Sequence, residues 1–102
     1  MSFKNITVTE FKNKIESEAD AVILDVRSEM ELADGSVPNH ILIDIMQPDF
    51  ANKISELDKD KTYLVYCRSG NRSGKACALM GQMGFTKLYN LEGGIMAWNA
   101  FQ

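Results

Sequence analysis

The feature that most constrains the fold is an alternation along the chain between short apolar runs and segments whose apolar residues recur at helical spacing. The clearest run, Thr62–Tyr66, is β-branched and aromatic, which is typical of a buried strand. After it, apolar residues recur at helical spacing between residues 76 and 83. Strands that alternate with helices form parallel sheets covered by helices on both faces. The sequence therefore predicts an α/β fold with a central parallel sheet.

The same pattern gives five strands and the helices between them. We expect strands over residues 6–8, 21–24, 40–43, 62–66 and 87–91. Thr9 is the predicted N-cap of the first helix, whose buried face would hold Phe11 and Ile15. A short helix over 28–31 is expected to end at Asp34-Gly35. Further helices are predicted over 49–57, from about residue 72 to a C-cap at Gly84, and over 94–98.

Length and composition are those of one globular domain spanning residues 1–102, since a domain usually holds ~100–200 residues. With 45% apolar and 25% charged residues, the chain is not of the disordered class. The longest apolar run, residues 76–80, is far shorter than the ~20 residues that cross a membrane. Residues 1–5 lack the apolar stretch of a signal peptide, so we expect a cytoplasmic protein with no membrane partner.

Charge is distributed unevenly along the chain, whose net charge is −3. Residues 1–61 hold 13 acidic and 7 basic side chains, whereas residues 62–102 hold one acidic and four basic ones. Three of these bases, Arg68, Arg72 and Lys75, fall beside Cys67. A nucleic-acid-binding protein is normally basic along a whole face, so we expect no nucleic-acid partner. The local positive charge favours a small anion instead, although a solvated surface would show the same cluster.

The loop after the clearest strand, Cys67-Arg-Ser-Gly-Asn-Arg72, holds the groups that stabilise a thiolate. In open parallel sheets, ligands bind beyond the carboxyl ends of the strands. The loop must turn into a helix, so its backbone N–H groups can converge on one point, and Gly70 permits the angles of such a turn. The helix dipole and the charges of Arg68 and Arg72 favour S⁻ over SH. Cys67 is therefore the predicted nucleophile, with a lowered pKa.

The reactive residue types also have structural interpretations. Cys67 as a buried small hydrophobe fits poorly between a strand end and five polar or glycine residues. Cys77 lies among apolar residues of the next helix, which favours a core position over a second reactive thiol. The single histidine, His40, begins a predicted strand, which favours a structural or surface role. One histidine and two distant cysteines do not make a metal site, and we expect neither a metal nor a cofactor.

Two phosphate-binding motifs come close to this loop, and neither fits. The segment from Gly70 to Lys75 has three residues between its glycines, where a P-loop has four, and Ala76 follows the lysine where a Ser or Thr is required. The phosphatase signature has five residues between its cysteine and its arginine, so from Cys67 the arginine would stand where the chain has Ser73. The shorter loop predicts a smaller cup, better suited to a terminal sulfur atom than to a phosphate ester.

Four blocks in order make the chain resemble a single-domain rhodanese over nearly its whole length. Residues 22–27 resemble the family's apolar strand that ends in Asp-Val-Arg, and residues 31–38 resemble the stretch from Glu-Tyr to Gly-His-Ile-Pro-Gly-Ala. Residues 67–72 match the six-residue active-site loop, and residues 91–98, Leu-Glu-Gly-Gly-Ile-Met-Ala-Trp, match the C-terminal block. The loop is a specific signal, and the four blocks in order are a more specific one.

The resemblance implies a sulfurtransferase. Cys67 would take the outer sulfur of thiosulfate or a similar small anionic donor and release sulfite. The resulting persulfide would then pass its sulfur to cyanide, a thiol or a protein acceptor. Two of the loop's side chains, Arg68 and Arg72, would attract and orient the donor. The persulfide anion would be held by the backbone N–H groups of Arg68, Ser69, Gly70, Asn71 and Arg72.

The resemblance also assigns residues away from the loop. It implies that Asp25, Arg27 and Glu31 form a structural ion-pair network rather than touch substrate, and that Trp98 packs in the core. The second block departs from the family pattern at four positions. Where the family usually has an aromatic residue, His, Gly and Ala, this chain has Leu32, Ser36, Asn39 and His40.

Two other functions remain open at this stage. In one, the chain is a persulfide carrier or redox-linked sulfur-relay module, and a protein partner loads Cys67. In the other, it is a phosphatase or arsenate reductase of the related longer-loop type, which the missing arginine at position 73 disfavours. An inactive rhodanese domain usually lacks the cysteine that this chain retains.

Overall fold

The computed structural model describes residues 3–101, in which five strands alternate with helices. The strands are β1 (Phe3–Ile6), β2 (Val22–Asp25), β3 (Ile41–Leu42), β4 (Thr62–Tyr66) and β5 (Lys87–Leu91). The α-helices are α1 (Val8–Ser17), α2 (Phe50–Ser55), α3 (Asn71–Gln82) and α4 (Gly94–Phe101). A 3₁₀ helix covers Glu29–Asp34. Every helix among these residues is too short or too polar to span a bilayer.

The five strands form one parallel sheet in the order β1-β5-β4-β2-β3. The register sets Asp25, the last residue of β2, beside Tyr66 at the end of β4. The carboxyl ends of all strands therefore lie at one edge of the sheet, and the loop that begins with Cys67 leaves from its central strand. The predicted five-stranded parallel sheet is confirmed.

Alternation of side chains along β4 divides the core into two layers. Tyr63 and Val65 pack in the layer under α2 and α3, whereas Leu64 and Tyr66 pack in the layer under α1 and α4. Helices thus cover both faces, as the sequence predicts. Cys67 follows the same alternation and lies in the α2–α3 layer, where it is 1% exposed.

The N-cap of the first helix lies two residues earlier than predicted. The strand expected over residues 6–8 is instead Phe3–Ile6, and Val8 opens α1. Thr7, not Thr9, is the N-cap: its hydroxyl accepts from the Glu10 N–H at 3.2 Å, and the Glu10 carboxylate accepts from the Thr7 N–H at 2.9 Å. This reciprocal pair is a capping box, which the spacing Thr-x-x-Glu signals in the sequence.

Other boundaries shift by one to three residues at element ends. The strand predicted over 40–43 contracts to Ile41–Leu42, and the helix predicted over 49–57 to Phe50–Ser55. The short helix after Ser28 is a 3₁₀ helix that runs to Asp34, and Gly35 ends it as expected. The last helix extends beyond Trp98 to Phe101.

The C-terminus of α3 is closed by the predicted glycine. Gly84 has φ 102°, and its N–H donates to the Gly81 carbonyl at 3.2 Å. The Phe85 N–H donates to the Met80 carbonyl at 3.1 Å. These two bonds form a Schellman motif, which satisfies carbonyls that the end of the helix would otherwise leave without donors.

Replacing the observed cap should destabilise the fold, whereas replacing the residue that the sequence favoured should not. We expect Thr7→Ala to lower the free energy of unfolding by about 1 kcal/mol, because it removes the N-cap hydroxyl. Thr9→Ala, two residues further on and exposed, should leave it unchanged or slightly higher, since alanine favours a helix. Urea unfolding of both variants checks this, and equal losses would contradict the assignment of Thr7 as the cap.

Candidate active site

Cys67 lies at the junction of β4 and α3, where the chain turns sharply. The turn passes through Gly70, the N-cap of α3, whose φ of 105° is a left-handed value that glycine adopts without strain. A Cβ at Gly70 would lie 3.3 Å from the Leu91 carbonyl oxygen, so the loop also approaches β5 closely. The local sequence therefore brings the end of a strand, a tight turn and a helix N-terminus together around one sulfur.

The Cys67 sulfur accepts hydrogen bonds from the loop and from the first turn of α3. The Gly70 N–H donates to Sγ at 3.1 Å, and the Ser73 hydroxyl lies 3.3 Å from it. Burial raises the pKa of the Cys67 thiol, but the hydroxyl of Ser73 and the backbone N–H groups of Ser73, Gly70 and Ser69 outweigh that effect. The pKa of Cys67 therefore lies below its ordinary value, and the site favours a thiolate.

The far side of the loop rests on the N-terminus of α4. The Ile95 N–H donates to the Cys67 carbonyl at 2.9 Å, and the Met96 N–H donates to the Arg68 carbonyl at 3.3 Å. These bonds turn two loop carbonyls toward the helix N-terminus and away from the sulfur. Gly94 permits this approach, because a Cβ there would overlap the carbonyls of Cys67 and Arg68.

A bidentate ion pair ties the start of α3 to the 3₁₀ helix. The Arg72 Nη1 and Nη2 donate to the Glu31 Oε2 and Oε1 at 2.8 and 2.7 Å. The Ser28 N–H and hydroxyl also donate to Glu31 Oε2. Arg72 and, to a lesser extent, Ser28 lower the pKa of Glu31 to about 2 against the effect of burial. The pair therefore stays ionised and holds the rim of the loop against the 3₁₀ helix.

A second ion pair, fully buried, holds the 3₁₀ helix itself. The Arg27 guanidinium donates to the Asp25 carboxylate, with an Nη2–Oδ2 distance of 2.8 Å, and both residues are 0% exposed. The same guanidinium donates to the Glu31 carbonyl at 3.1 Å and to the Gly35 carbonyl at 2.9 Å. Arg27 thus connects the end of β2 to the middle of the 3₁₀ helix that carries Glu31 and to its C-cap, Gly35.

The comparisons with known proteins agree on one family. The family model described as "Rhodanese-like domain" matches residues 7–101.

The chain belongs to the rhodanese-like domain family.

Individual relatives support the same assignment. YtwF of Bacillus subtilis strain 168, a candidate sulfurtransferase, is 41% identical over 98 residues, which cover 96% of this chain and 92% of YtwF. The thiosulfate sulfurtransferase GlpE of Pseudomonas savastanoi pv. phaseolicola is 32% identical over 81% of this chain and 76% of its own. The crystal structure of a rhodanese-related protein from Thermoplasma volcanium superposes with a TM-score of 0.82 at 34% identity, over 96% of this chain and 92% of that one. The chain is thus a member of the rhodanese-like sulfurtransferases.

The resemblance implied one ion-pair network of Asp25, Arg27 and Glu31, whereas the structure of this rhodanese-like domain has two separate pairs, Asp25–Arg27 and Glu31–Arg72. Arg68, Ser69 and Asn71 are exposed or half-exposed at the loop surface around Cys67. Arg72 is engaged with Glu31, so the carboxylate of Glu31 faces the loop and not the Asp25–Arg27 pair. Glu31 contacts Arg27 only through its backbone carbonyl. A role for Arg72 in attracting the donor stays a prediction.

Sequence reasoning missed two polar residues beside the sulfur. In the sequence, Ser73 is notable only as the residue that breaks the phosphatase signature, and Asn90 is one residue of the predicted strand over 87–91. Both are buried, and Ser73 Oγ is within hydrogen-bond distance of Cys67 Sγ and of Asn90 Oδ1. An asparagine in the middle of a buried strand is the signal that was available, because such a side chain needs polar partners.

Three residues with predicted structural roles lie as expected. Cys77 is 0% exposed in the α2–α3 layer, and burial raises its pKa to about 12, so it stays a thiol. Trp98 packs edge-on against Phe11 in the other layer. His40 is half-buried with Nδ1 2.9 Å from the Val37 carbonyl oxygen. Within residues 3–101, no three His, Cys, Asp or Glu side chains cluster as metal ligands do.

One departure from the family pattern preserves the backbone. Asn39, which replaces the usual glycine, has φ 67° and is the one non-glycine residue at positive φ in the described part of the chain. Asparagine tolerates the left-handed region better than most residues with a side chain. The connection into β3 therefore keeps a conformation that suits glycine.

The Glu31–Arg72 pair should make stability depend on pH in the acid range. The pKa of Glu31 is about 2 in the folded chain and 4.5 as the ordinary value. Its contribution is therefore complete above about 4.5 and is lost as the pH falls toward about 2. We expect Glu31→Gln to lower the free energy of unfolding by about 1–2 kcal/mol at neutral pH, with the difference from wild type shrinking across that window.

The matched control is Glu29→Gln, on the exposed side of the same 3₁₀ helix. Denaturant unfolding at several pH values compares the three proteins. A pH-independent difference for Glu31→Gln, or an equal one for Glu29→Gln, would rule out the ion pair as its cause.

The close approach of α4 to the loop predicts opposite results for two glycines. Gly94→Ala should cost about 1–3 kcal/mol and raise the pKa of Cys67, because the new methyl group displaces the loop carbonyls. Gly74→Ala, within α3, meets only an ordinary contact of 3.5 Å with Asn90 Nδ2 and should leave stability unchanged or slightly raised. Thermal unfolding and the pH dependence of Cys67 alkylation measure both effects. A Gly94→Ala variant as stable and as reactive as wild type would contradict the role of this contact.

Proposed function

We propose that this chain transfers the outer sulfur of thiosulfate, or of a similar small anion, to a thiol or to cyanide through a persulfide on Cys67. The observation that carries the proposal is the environment of the Cys67 sulfur. It accepts from the Gly70 N–H, lies within hydrogen-bond distance of the Ser73 hydroxyl, and has a lowered pKa at the N-terminus of a helix. A thiolate in this position is a nucleophile at neutral pH.

In the first half-reaction, the Cys67 thiolate attacks the outer sulfur of thiosulfate. A bond forms between Sγ and that sulfur, the bond between the two sulfurs of thiosulfate breaks, and its electron pair leaves with sulfite. The enzyme is left with a cysteine persulfide, whose terminal sulfur carries the negative charge. The loop N–H groups and the positive end of the α3 dipole are suited to hold that anion.

In the second half-reaction, cyanide or a thiolate attacks the terminal sulfur. The bond between Sγ and this sulfur breaks, and its electron pair returns to Cys67 as the thiolate. The products are thiocyanate or a persulfide of the acceptor, so the cycle needs no external oxidant or reductant. This is a ping-pong reaction with a covalent intermediate.

The size and charge of the site favour a small anionic donor. Cys67 is 1% exposed, so the outer sulfur must reach it through a narrow opening. Arg68, the next residue in the chain, is exposed and adds positive charge to the loop. The loop is one residue shorter than the phosphatase signature, which favours a single sulfur atom over a phosphate ester. One relative, GlpE, is named a thiosulfate sulfurtransferase.

Intact mass measured before and after thiosulfate treatment tests the proposal. We expect the wild type to gain the mass of one sulfur atom and to lose it again when cyanide is added. Cys67→Ser should gain nothing, and Cys77→Ser should behave as the wild type, because Cys77 is buried with its pKa raised to about 12.

Two outcomes would overturn parts of the proposal. No mass gain by folded wild-type protein with reduced Cys67 would exclude thiosulfate as the donor and favour the carrier function, in which a protein partner loads the cysteine. A gain that persists in Cys67→Ser would exclude Cys67 as the acceptor of the sulfur.

A further inference from the structure

A buried polar network behind the active-site loop connects Cys67 to the edge of the sheet. Asn90, in β5, is 4% exposed. Its Nδ2 donates to the Gly70 carbonyl at 3.1 Å and to the Asn5 Oδ1 at 2.9 Å. Its Oδ1 lies within hydrogen-bond distance of the Ser73 hydroxyl, which in turn lies 3.3 Å from the Cys67 sulfur.

The number of hydrogens in this network fixes the direction of one bond. The Gly70 carbonyl can only accept, so the amide end that faces it must be Nδ2, and Oδ1 must face Ser73. Oδ1 can also only accept, so it takes the Ser73 hydroxyl hydrogen. A hydroxyl has one hydrogen. Ser73 therefore cannot donate to Asn90 and to the Cys67 sulfur at the same time.

We propose that Asn90 is a positioning residue that competes with the Cys67 sulfur for the single hydrogen of the Ser73 hydroxyl. This inference rests on the proposed function of Cys67 as the residue that accepts sulfur. It assigns to Asn90 an influence on the reacting atom although the two do not touch.

The competition has two arrangements. In the thiol state, the Cys67 S–H donates to Ser73 Oγ, and the Ser73 O–H donates to Asn90 Oδ1, so each hydrogen has an acceptor. When the thiol proton leaves to solvent, Ser73 Oγ would face an anion with its lone pairs. The hydroxyl then rotates to donate to the sulfur, and Asn90 Oδ1 loses its donor. Loss of the thiol proton to solvent breaks the bond from Cys67 S–H to Ser73 Oγ. The rotation then breaks the bond from the Ser73 hydroxyl to Asn90 Oδ1 and forms the bond to the sulfur, with no proton transferred between Ser73 and Asn90.

Asn90 therefore favours the thiol and limits how far the other donors stabilise the thiolate. This limit has a chemical use, because a thiolate of very low pKa is a weaker nucleophile. The bonds from Gly70 and Ser73 lower the pKa of Cys67 against burial, and Asn90 acts against the Ser73 part of that effect. The result is a sulfur that ionises readily and still attacks.

Among the described residues, Cys67 is the only titratable or charged side chain that is hydrogen-bonded to Ser73 or Asn90. Arg68 is in the loop, and Arg72 on α3 is paired with Glu31 of the 3₁₀ helix. Asp25, the last residue of β2, is paired with Arg27, which follows the strand. Cys77 on α3 stays a thiol. Residues 94–101 of α4 and Asn90 itself carry no charge.

The pH at which half of Cys67 is ionised tests the proposal. Competition for the Ser73 hydrogen and bracing of the loop through Gly70 predict opposite shifts of this midpoint in Asn90→Leu. We measure the ultraviolet absorbance of the thiolate against pH and subtract that of Cys67→Ser. Asn90→Leu, of similar shape, removes the competing acceptor, so the midpoint should fall by about half to one pH unit. If Asn90 only braces the loop through Gly70, the same variant weakens the Gly70 bond to sulfur and the midpoint rises. A rise or no change would overturn the proposal.

Two further variants complete the test. Asn5→Ala removes a partner of Asn90 Nδ2 but leaves Oδ1 in place, so the midpoint should not move. In Ser73→Ala, where no hydroxyl remains to compete for, adding Asn90→Leu should no longer lower the midpoint. A fall of equal size in this background would show that Asn90 acts on Cys67 without Ser73, which contradicts the proposal.

A measurement on the unaltered protein covers the case in which Asn90→Leu does not fold. The side-chain amide signals of Asn90 in the NMR spectrum should shift as Cys67 ionises, because Oδ1 loses the Ser73 hydrogen. In Ser73→Ala this shift should be much smaller, and equal shifts would overturn the proposal. None of these measurements uses a sulfur donor. Failure of the thiosulfate experiment would therefore leave them intact, and their failure would leave that experiment intact.

Discussion

The buried guanidinium of Arg27 is the interaction on which the rest of the site depends. It neutralises Asp25 at the end of β2 and donates to two backbone carbonyls, that of Glu31 within the 3₁₀ helix and that of Gly35 just after it. An ion pair that is 0% exposed is stabilising only when its other hydrogen-bonding groups are satisfied, and here the segment that it positions supplies them. Glu31 is thereby set where it meets Arg72, and Arg72 fixes the start of α3. Arg27, two residues after the end of β2, thus acts through two ion pairs on the loop that holds Cys67.

Two opposing effects act on the pKa of Cys67. Burial in the α2–α3 layer favours the neutral thiol, while the turn at Gly70 and the first turn of α3 aim hydrogen-bond donors at it. The positive charge of Arg72 is neutralised by Glu31, with which it is paired. Backbone N–H groups and one hydroxyl therefore account for most of the anion stabilisation, which is why the conformation of the loop matters more than its net charge.

Most of the fold and the position of Cys67 were predictable from the sequence, because both leave strong local signals. The run Thr62–Tyr66 and the loop after it locate the central strand, the cysteine and the helix, and the structure places all three there. The predicted start of α1 is wrong because Val8 favours a strand by propensity. The capping box of Thr7 and Glu10 instead places Val8 in the helix. The partnership of Arg72 with Glu31 joins residues 41 positions apart, and no local pattern encodes such a distance. An asparagine within a buried strand does signal a polar contact, but the sequence does not show its partners, which lie in β1 and α3.

The bonds from α4 to the loop tie the chemistry of Cys67 to the completion of folding. The Ile95 N–H that holds the Cys67 carbonyl belongs to a helix 28 residues further along the chain. A chain in which this helix has not yet docked lacks the support that keeps the loop N–H groups aimed at the sulfur. In such a chain the cysteine is an ordinary thiol, mostly protonated at neutral pH. We therefore expect the lowered pKa of Cys67 to arise only with the native state. Partly folded molecules would then carry little thiolate, which is the form that is most easily oxidised.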